Sequence, residues 1–201
     1  MDLYGMFVLM ATATVLSPGP GVLMTLTNAL HLRRRDTFGG VLGIAVGAAV
    51  VAALSATSLG IVLAASPAAY TVLKWMGAAY LIYLGLRLWR AQGIAVAEGG
   101  MKPGTAVHRF AEGVTLQLTN PKAIFFFLSV FPQFIRPDAH FARQFAVLVV
   151  TYGTIVVLVH CLYAACAQYA KRWLASRTGG TLLQRVAGTV FIAFAALLAF
   201  H

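Results

Sequence analysis

The chain has 201 residues, of which 60% are hydrophobic and 10% charged, against roughly 25% charged in an average soluble domain. So few charges cannot cover a water-soluble surface, and most of the chain must be solvated by the lipid bilayer. The formal net charge of +10 falls in short clusters between long apolar runs, which reads as membrane topology and argues against a nucleic-acid partner.

A bilayer core about 30 Å thick takes about twenty apolar residues, and six stretches meet or approach that length. The first runs from Leu3 to Leu30. Met1-Asp2-Leu3 offers no positive leader, so it is expected as a retained span despite the cleavage-like Ala11-Thr12-Ala13. Ser17-Pro18-Gly19-Pro20-Gly21 interrupts it midway. The second, Phe38 to Ala65, carries Gly39, Gly43 and Gly47 at four-residue intervals. Such a face lets another helix approach closely, either inside the monomer or as the seam of a homodimer. The third runs from Ala68 to Leu88, with Tyr80 and Tyr83 on one face, suited to core packing or to lining a cavity. Residues 92–107, with Gly99, Gly100 and Pro103, read as a linker. The fourth span, Phe110 to Phe134, is interrupted by Asn120-Pro121-Lys122. The fifth, Phe145 to Ala170, contains His160, and the sixth runs from Leu182 to Phe200. Cys161 and Cys166 stand about 140° apart on a helix and suit neither a redox pair nor a zinc site. No metal or cofactor is expected.

Basic residues fall in alternate loops. Arg33 to Arg35 follow the first span, Arg87, Arg90, Lys102 and Arg109 flank the linker, and Lys171, Arg172, Arg177 and Arg185 follow the fifth. These three loops are therefore cytoplasmic, with both termini outside. The expected fold is all-α, a single transmembrane domain over residues 1–201 in which a first three-helix repeat (1–91) and a second (108–201) flank the linker. An offset of 103 residues carries Pro18 onto Pro121. Three is odd, so the second unit enters the membrane from the opposite side, the inverted repeat of secondary transporters.

In each break a capping residue, Ser17 or Asn120, stands before a proline suited to the first helical position. Irregular backbone at membrane depth must face protein or a wet cavity, so the two breaks are expected to share one. There the N–H groups of Gly19, Gly21, Lys122 and Ala123, at positive half-helix ends, could receive a carboxylate. Lys122, costing about 2.5–3.5 kcal/mol at the membrane centre, needs a partner. Titratable groups for proton coupling are few: Glu112, Asp36 and His160.

The ordered set Ser17-Pro18-Gly19-Pro20, Lys74-Trp75-Met76-Gly77-Ala78-Ala79-Tyr80-Leu81, Tyr83-Leu84-Gly85, Asn120-Pro121-Lys122-Ala123 and Phe131-Pro132-Gln133-Phe134 resembles the LysE/RhtB family of bacterial amino-acid exporters over nearly the whole chain. The resemblance implies a multi-pass exporter of the bacterial cytoplasmic membrane that moves amino acids or close derivatives outward, driven by protons, and not an enzyme. The two breaks are the expected substrate site, formed by Ser17, Pro18, Gly19, Pro20, Gly21, Asn120, Pro121 and Lys122. Gly21 departs from the family pattern, where a polar Asn or Asp commonly follows Pro-Gly-Pro. Two other readings stand beside it. An exporter of metal cations would need more buried ligands than His160, Cys161 and Cys166 supply. His31-x4-Asp36 matches the His-Asp pattern of membrane-bound lipid acyltransferases, where the pair acts as a general base.

Overall fold

A computed structural model describes residues 3–65, 67–91, 104–136 and 140–200. Every regular element among them is helical: α1 (Leu3–Leu16), α2 (Pro20–His31), α3 (Arg34–Ala65), α4 (Pro67–Arg90), α5 (Ala106–Leu118), α6 (Pro121–Phe125), α7 (Phe141–Ala165), α8 (Ala167–Ala175) and α9 (Arg177–Phe200). A π-helical turn (Phe126–Val130) and a 3-10 turn (Phe131–Phe134) extend α6. Residues 92–103 of the expected linker, with Lys102, lie outside the described residues, as do Met1 and Asp2.

Three stretches are long and apolar enough to cross a membrane alone: Arg34–Ala56, Phe141–Ala165 and Thr178–Leu197. Two bent pairs, α1 with α2 at 57° and α5 with Pro121–Phe134 at 56°, bring the number to five if each is one span. The segment expected as the third span forms helix α4, 24 residues long, which is not among the stretches apolar enough to cross a membrane. It is less apolar than the others and carries Lys74, Arg87 and Arg90.

The fifth span ends earlier than expected. Helix α7 stops at Ala165, Cys166 takes φ −103° and ψ 22°, and the amphipathic α8 follows. Polar Gln168, Lys171 and Arg172 end the apolar run, but no proline or glycine marks the turn. Helix α8 is closed by Ser176, whose hydroxyl donates to Trp173 O at 2.6 Å and accepts from Gly179 N at 3.0 Å.

Glycine sets the two closest helix crossings. Helix α3 packs on α5, so the halves of the chain interlock. A Cβ on Gly39 or Gly43 would collide with the carbonyl oxygen of Ala106 or Phe110, and one on Gly47 would sit 2.8 Å from Gln117 Cβ. The Gly39-Gly43-Gly47 face is thus buried inside the chain and does not form a dimer seam. Helices α4 and α9 cross at Gly85 and Gly188, where a Cβ on either would fall 2.8 Å or 2.7 Å from the other's carbonyl oxygen. Backbones this close exchange dispersion over their whole contact, the main attraction left between helices in lipid.

Aromatic side chains hold the segment after the second break. Phe134 stacks on Phe194 of α9 at 5.3 Å and meets Phe7 of α1 edge-on at 5.2 Å. Phe126 and Phe127 pack on Tyr152 of α7 at 5.1 and 4.9 Å. Tyr80 stacks on Phe125 at 4.2 Å, so its ring packs against this segment, whereas Tyr83 is mostly exposed.

Gly43→Ala is expected to destabilise the protein by about 1–3 kcal/mol through overpacking at Phe110. Gly153→Ala, whose Cβ would meet nothing within 4 Å, is expected to be neutral or stabilising. Unfolding midpoints in detergent test this, and equal midpoints for the two variants would refute the α3–α5 account.

Candidate functional site

Two prolines shape the first break. A residue before proline is driven out of the helical region, and Gly19, before Pro20, is fully extended at φ −167° and ψ −174°. Helix α2 therefore cannot begin at Pro18. Ser17 does not cap it, contrary to expectation; Gly19 is the N-cap residue and Pro20 opens the helix. Ser17 instead finishes α1, its N–H reaching Ala13 O at 2.9 Å and its hydroxyl donating to Thr14 O at 2.8 Å.

Prolines also lack the N–H that a continuous helix would supply four residues on. Pro18 leaves Thr14 O without its helical donor, and Pro20 does the same to Leu16 O. Thr14 O is served by the Ser17 hydroxyl and again from another element, and Leu16 O from another element. Lys122 Nζ donates to Thr14 O at 2.8 Å, to Ser17 O at 3.0 Å and to Ser17 Oγ at 2.9 Å. Tyr163 of α7 donates its hydroxyl to Leu16 O at 2.9 Å. All three ammonium protons of Lys122 thus have acceptors on the first break, and Gly19 leaves room for them, since a Cβ there would sit 3.3 Å from Nζ.

The second break closes itself. Asn120 caps α6 as expected, accepting from Lys122 N at 3.1 Å, with Pro121 at the first helical position. The carbonyl that Pro121 deprives of a donor, Gln117 O, accepts from Asn120 N at 3.2 Å. Asn120 Nδ2 reaches Gln117 Oε1 at 3.3 Å. The Lys122 N–H is used by this cap and is not open to an incoming carboxylate.

Between the breaks lies a cavity of about 30 Å³ lined by Gly19, Gly21, Gln117, Asn120, Lys122 and His160, among others. That space suits about one water molecule and is too small for an amino acid. His160 is buried and its Nδ1 lies 2.7 Å from Thr25 Oγ1 of α2. A Cβ on Gly21 would sit 3.3 Å from His160 Cε1, so the imidazole occupies the space beside that glycine. Tyr152, Val156, His160 and Tyr163 follow one another at helical spacing along α7. Periodicity in the fifth span was the signal for Tyr152 and Tyr163, which sequence reasoning missed together with Thr14, Thr25 and Gln117.

The other expected titratable residues lie elsewhere. Glu112 pairs with buried Arg109 at 2.6 Å and with His108 at 3.2 Å, the latter an ion pair when the imidazole is protonated. Asp36 stands in the first turn of α3, where a carboxylate complements the helix dipole. His31 is the exposed last residue of α2. Among the described residues, no three His, Cys, Asp or Glu side chains gather as a metal-binding group.

A family model described as LysE type translocator matches residues 12–201. The chain belongs to this family. A Vibrio cholerae protein named only as an uncharacterized membrane protein is 33% identical over 99% of this chain and 98% of its own. The homoserine/homoserine lactone efflux protein of Salmonella typhi is 33% identical over 96% of this chain and 94% of its own. The leucine efflux protein of Salmonella choleraesuis is 27% identical over 98% and 94%. No solved structure matches. As a LysE type translocator the chain is a multi-pass membrane transporter and not an enzyme, which retires the acyltransferase reading of His31 and Asp36.

Lys122→Met removes three charge-assisted hydrogen bonds to the first break, while Thr14 O keeps the Ser17 hydroxyl, and is expected to cost about 2–3 kcal/mol of unfolding free energy. Tyr163→Phe strands Leu16 O and is expected to cost about 1 kcal/mol. Reversible unfolding in mixed micelles ranks the two, and a Lys122→Met protein as stable as wild type would contradict the bridging role.

Proposed function

We propose that this translocator exports amino acids or close derivatives across the bacterial cytoplasmic membrane by alternating access, coupled to proton antiport. Its relatives include proteins named for homoserine, homoserine lactone and leucine efflux, and a small zwitterion of that class suits a site built from one lysine, amides and backbone. The carrying observation is the bridge from Lys122 on the second break to Thr14 and Ser17 on the first.

The proposed architecture is six spans, with α4 as the third, arranged as two inverted three-helix repeats over residues 1–91 and 108–201 in one domain, both termini outside. Its support is the pair of breaks bent by nearly equal angles, 57° and 56°. Packing of α3 on α7 and of α4 on α9 adds to it, since these are the pairs that a two-fold axis through the repeats would make with themselves.

In the proposed cycle, Ser17, Pro18, Gly19, Pro20 and Gly21 with Asn120, Pro121 and Lys122 form the substrate site. With the site closed, the ammonium of Lys122 is satisfied by oxygens of the first break. An incoming carboxylate competes for those protons, and the exchange lets the breaks separate without leaving a buried charge unpaired. The alternation is thus a swap of acceptors on one cation. Of His160, Glu112 and Asp36, we assign the proton to His160, because it lines the cavity and its partner Thr25 lies on α2, the half-helix that follows the first break.

Cells loaded with mixed dipeptides are expected to release one or a few amino acids selectively with the wild-type protein and none above vector with an inserted Lys122→Met. In inverted vesicles, His160→Asn is expected to abolish the response of transport to an imposed pH gradient while sparing counterflow exchange. Full gradient dependence in that variant would remove His160 from the coupling.

A further inference from the structure

Away from the breaks, α2 turns through Leu32 and Arg33 into α3, and beside this corner α7 gives way to α8. The four helices enclose an open groove of about 1040 Å³. Its polar wall is basic, with Arg34 and Arg35 from α3 and Arg172 from α8, while Phe38, Ala164 and Ala165 supply an apolar floor. No Asp or Glu lines it. Asp36, adjacent in sequence, is not part of the lining. The ion pairs among the described residues are Arg109–Glu112 and His108–Glu112, so none of the three arginines is neutralised by a carboxylate there. Arg172 Nε donates to Gln168 O at 3.4 Å.

We propose that this groove is a binding site for an anionic phospholipid, the phosphate held by Arg34, Arg35 and Arg172 and an acyl chain laid on Phe38, Ala164 and Ala165. A guanidinium fork matches phosphate geometry and keeps its charge at any working pH. The combination of a basic rim with a continuous apolar floor selects a ligand that is anionic at one end and hydrocarbon at the other. A free amino acid or inorganic phosphate would leave Phe38, 46% exposed, uncovered. Tyr169, 71% exposed at the groove's edge, and Trp173 on the same short amphipathic helix are aromatic anchors suited to the headgroup level. Arginine clusters beside a membrane span attract anionic lipid generally; the groove adds a shaped seat joining α3 to α8. The proposal stands apart from the identity of the transported solute.

Full-length protein purified in detergent and titrated with phosphatidylglycerol under native mass spectrometry tests it. Wild type is expected to retain the lipid, and Arg34→Gln/Arg35→Gln/Arg172→Gln to bind it about a hundredfold more weakly, from roughly fivefold per arginine. Ala164→Trp, which fills the floor and leaves every arginine in place, is expected to lose it as well. Lys74→Gln/Arg87→Gln/Arg143→Gln, with the same change of net charge elsewhere, is expected to bind as wild type. Phosphatidylcholine of the same chains is expected not to bind, and inorganic phosphate not to displace the bound lipid. Wild-type affinity in the triple-arginine variant would overturn the proposal, as would equal loss in the charge control. Displacement by inorganic phosphate would reduce the groove to a simple anion site.

Discussion

Thr14 O and Leu16 O cannot receive their helical hydrogen bonds, because the residues four further on are Pro18 and Pro20. At membrane depth an unsatisfied carbonyl costs several kcal/mol, so each needs a replacement donor. The rest of the site follows from meeting that demand. The Ser17 hydroxyl and Lys122 of the second break meet Thr14 O, and Tyr163 of α7 meets Leu16 O, which brings α1, α6 and α7 to one point. The cation is itself too costly to bury alone. The first break thus supplies the acceptors that the buried cation needs, and Lys122 adds its donors to a break that has lost two.

Around this polar junction the molecule is held by contacts of a different kind. The α3–α5 and α4–α9 crossings rest on backbones brought together by glycine, where any added Cβ would collide. Such close packing tolerates little change of side-chain volume. The junction between the breaks is soft by comparison, since a lysine on rotatable bonds can exchange acceptors. In the proposed transport cycle, motion is concentrated where the backbone is already broken and the glycine crossings persist. In that cycle the cavity of about 30 Å³ represents the state in which the protein supplies what a substrate otherwise would.

Much of this was legible before any coordinates. The two breaks, the capping of α6 by Asn120, the close-packing glycines of α3 and the family could be read from residue type and spacing, because proline, asparagine and glycine act locally. The reach of Lys122 was not legible, although its need for a partner was, because the donors lost at Pro18 and Pro20 can be counted in sequence but their replacements, the Ser17 hydroxyl apart, come from distant residues. The same holds for Tyr163 and Thr25, which read as ordinary members of apolar helices until the fold sets them beside an orphan carbonyl and an imidazole. The capping of α2 was misread because Ser17 before Pro18 was weighed without Pro20, whose restriction on Gly19 delays the helix by two residues. The end of α7 at Cys166 left no proline or glycine to read; it reflects the drop in apolarity at Gln168.

The central claim is that the two breaks together form the passage for substrate. Its most direct test places a cysteine at Ala123, which lines the cavity between them, in a Cys161→Ser/Cys166→Ser background, and follows its reaction with a membrane-impermeant thiol reagent. The account predicts slow labelling at rest that is altered by homoserine or leucine, whichever the cells are found to export, and unaltered by solutes that are not exported. A rate indifferent to every exported amino acid, in a protein that still exports, would put the passage elsewhere.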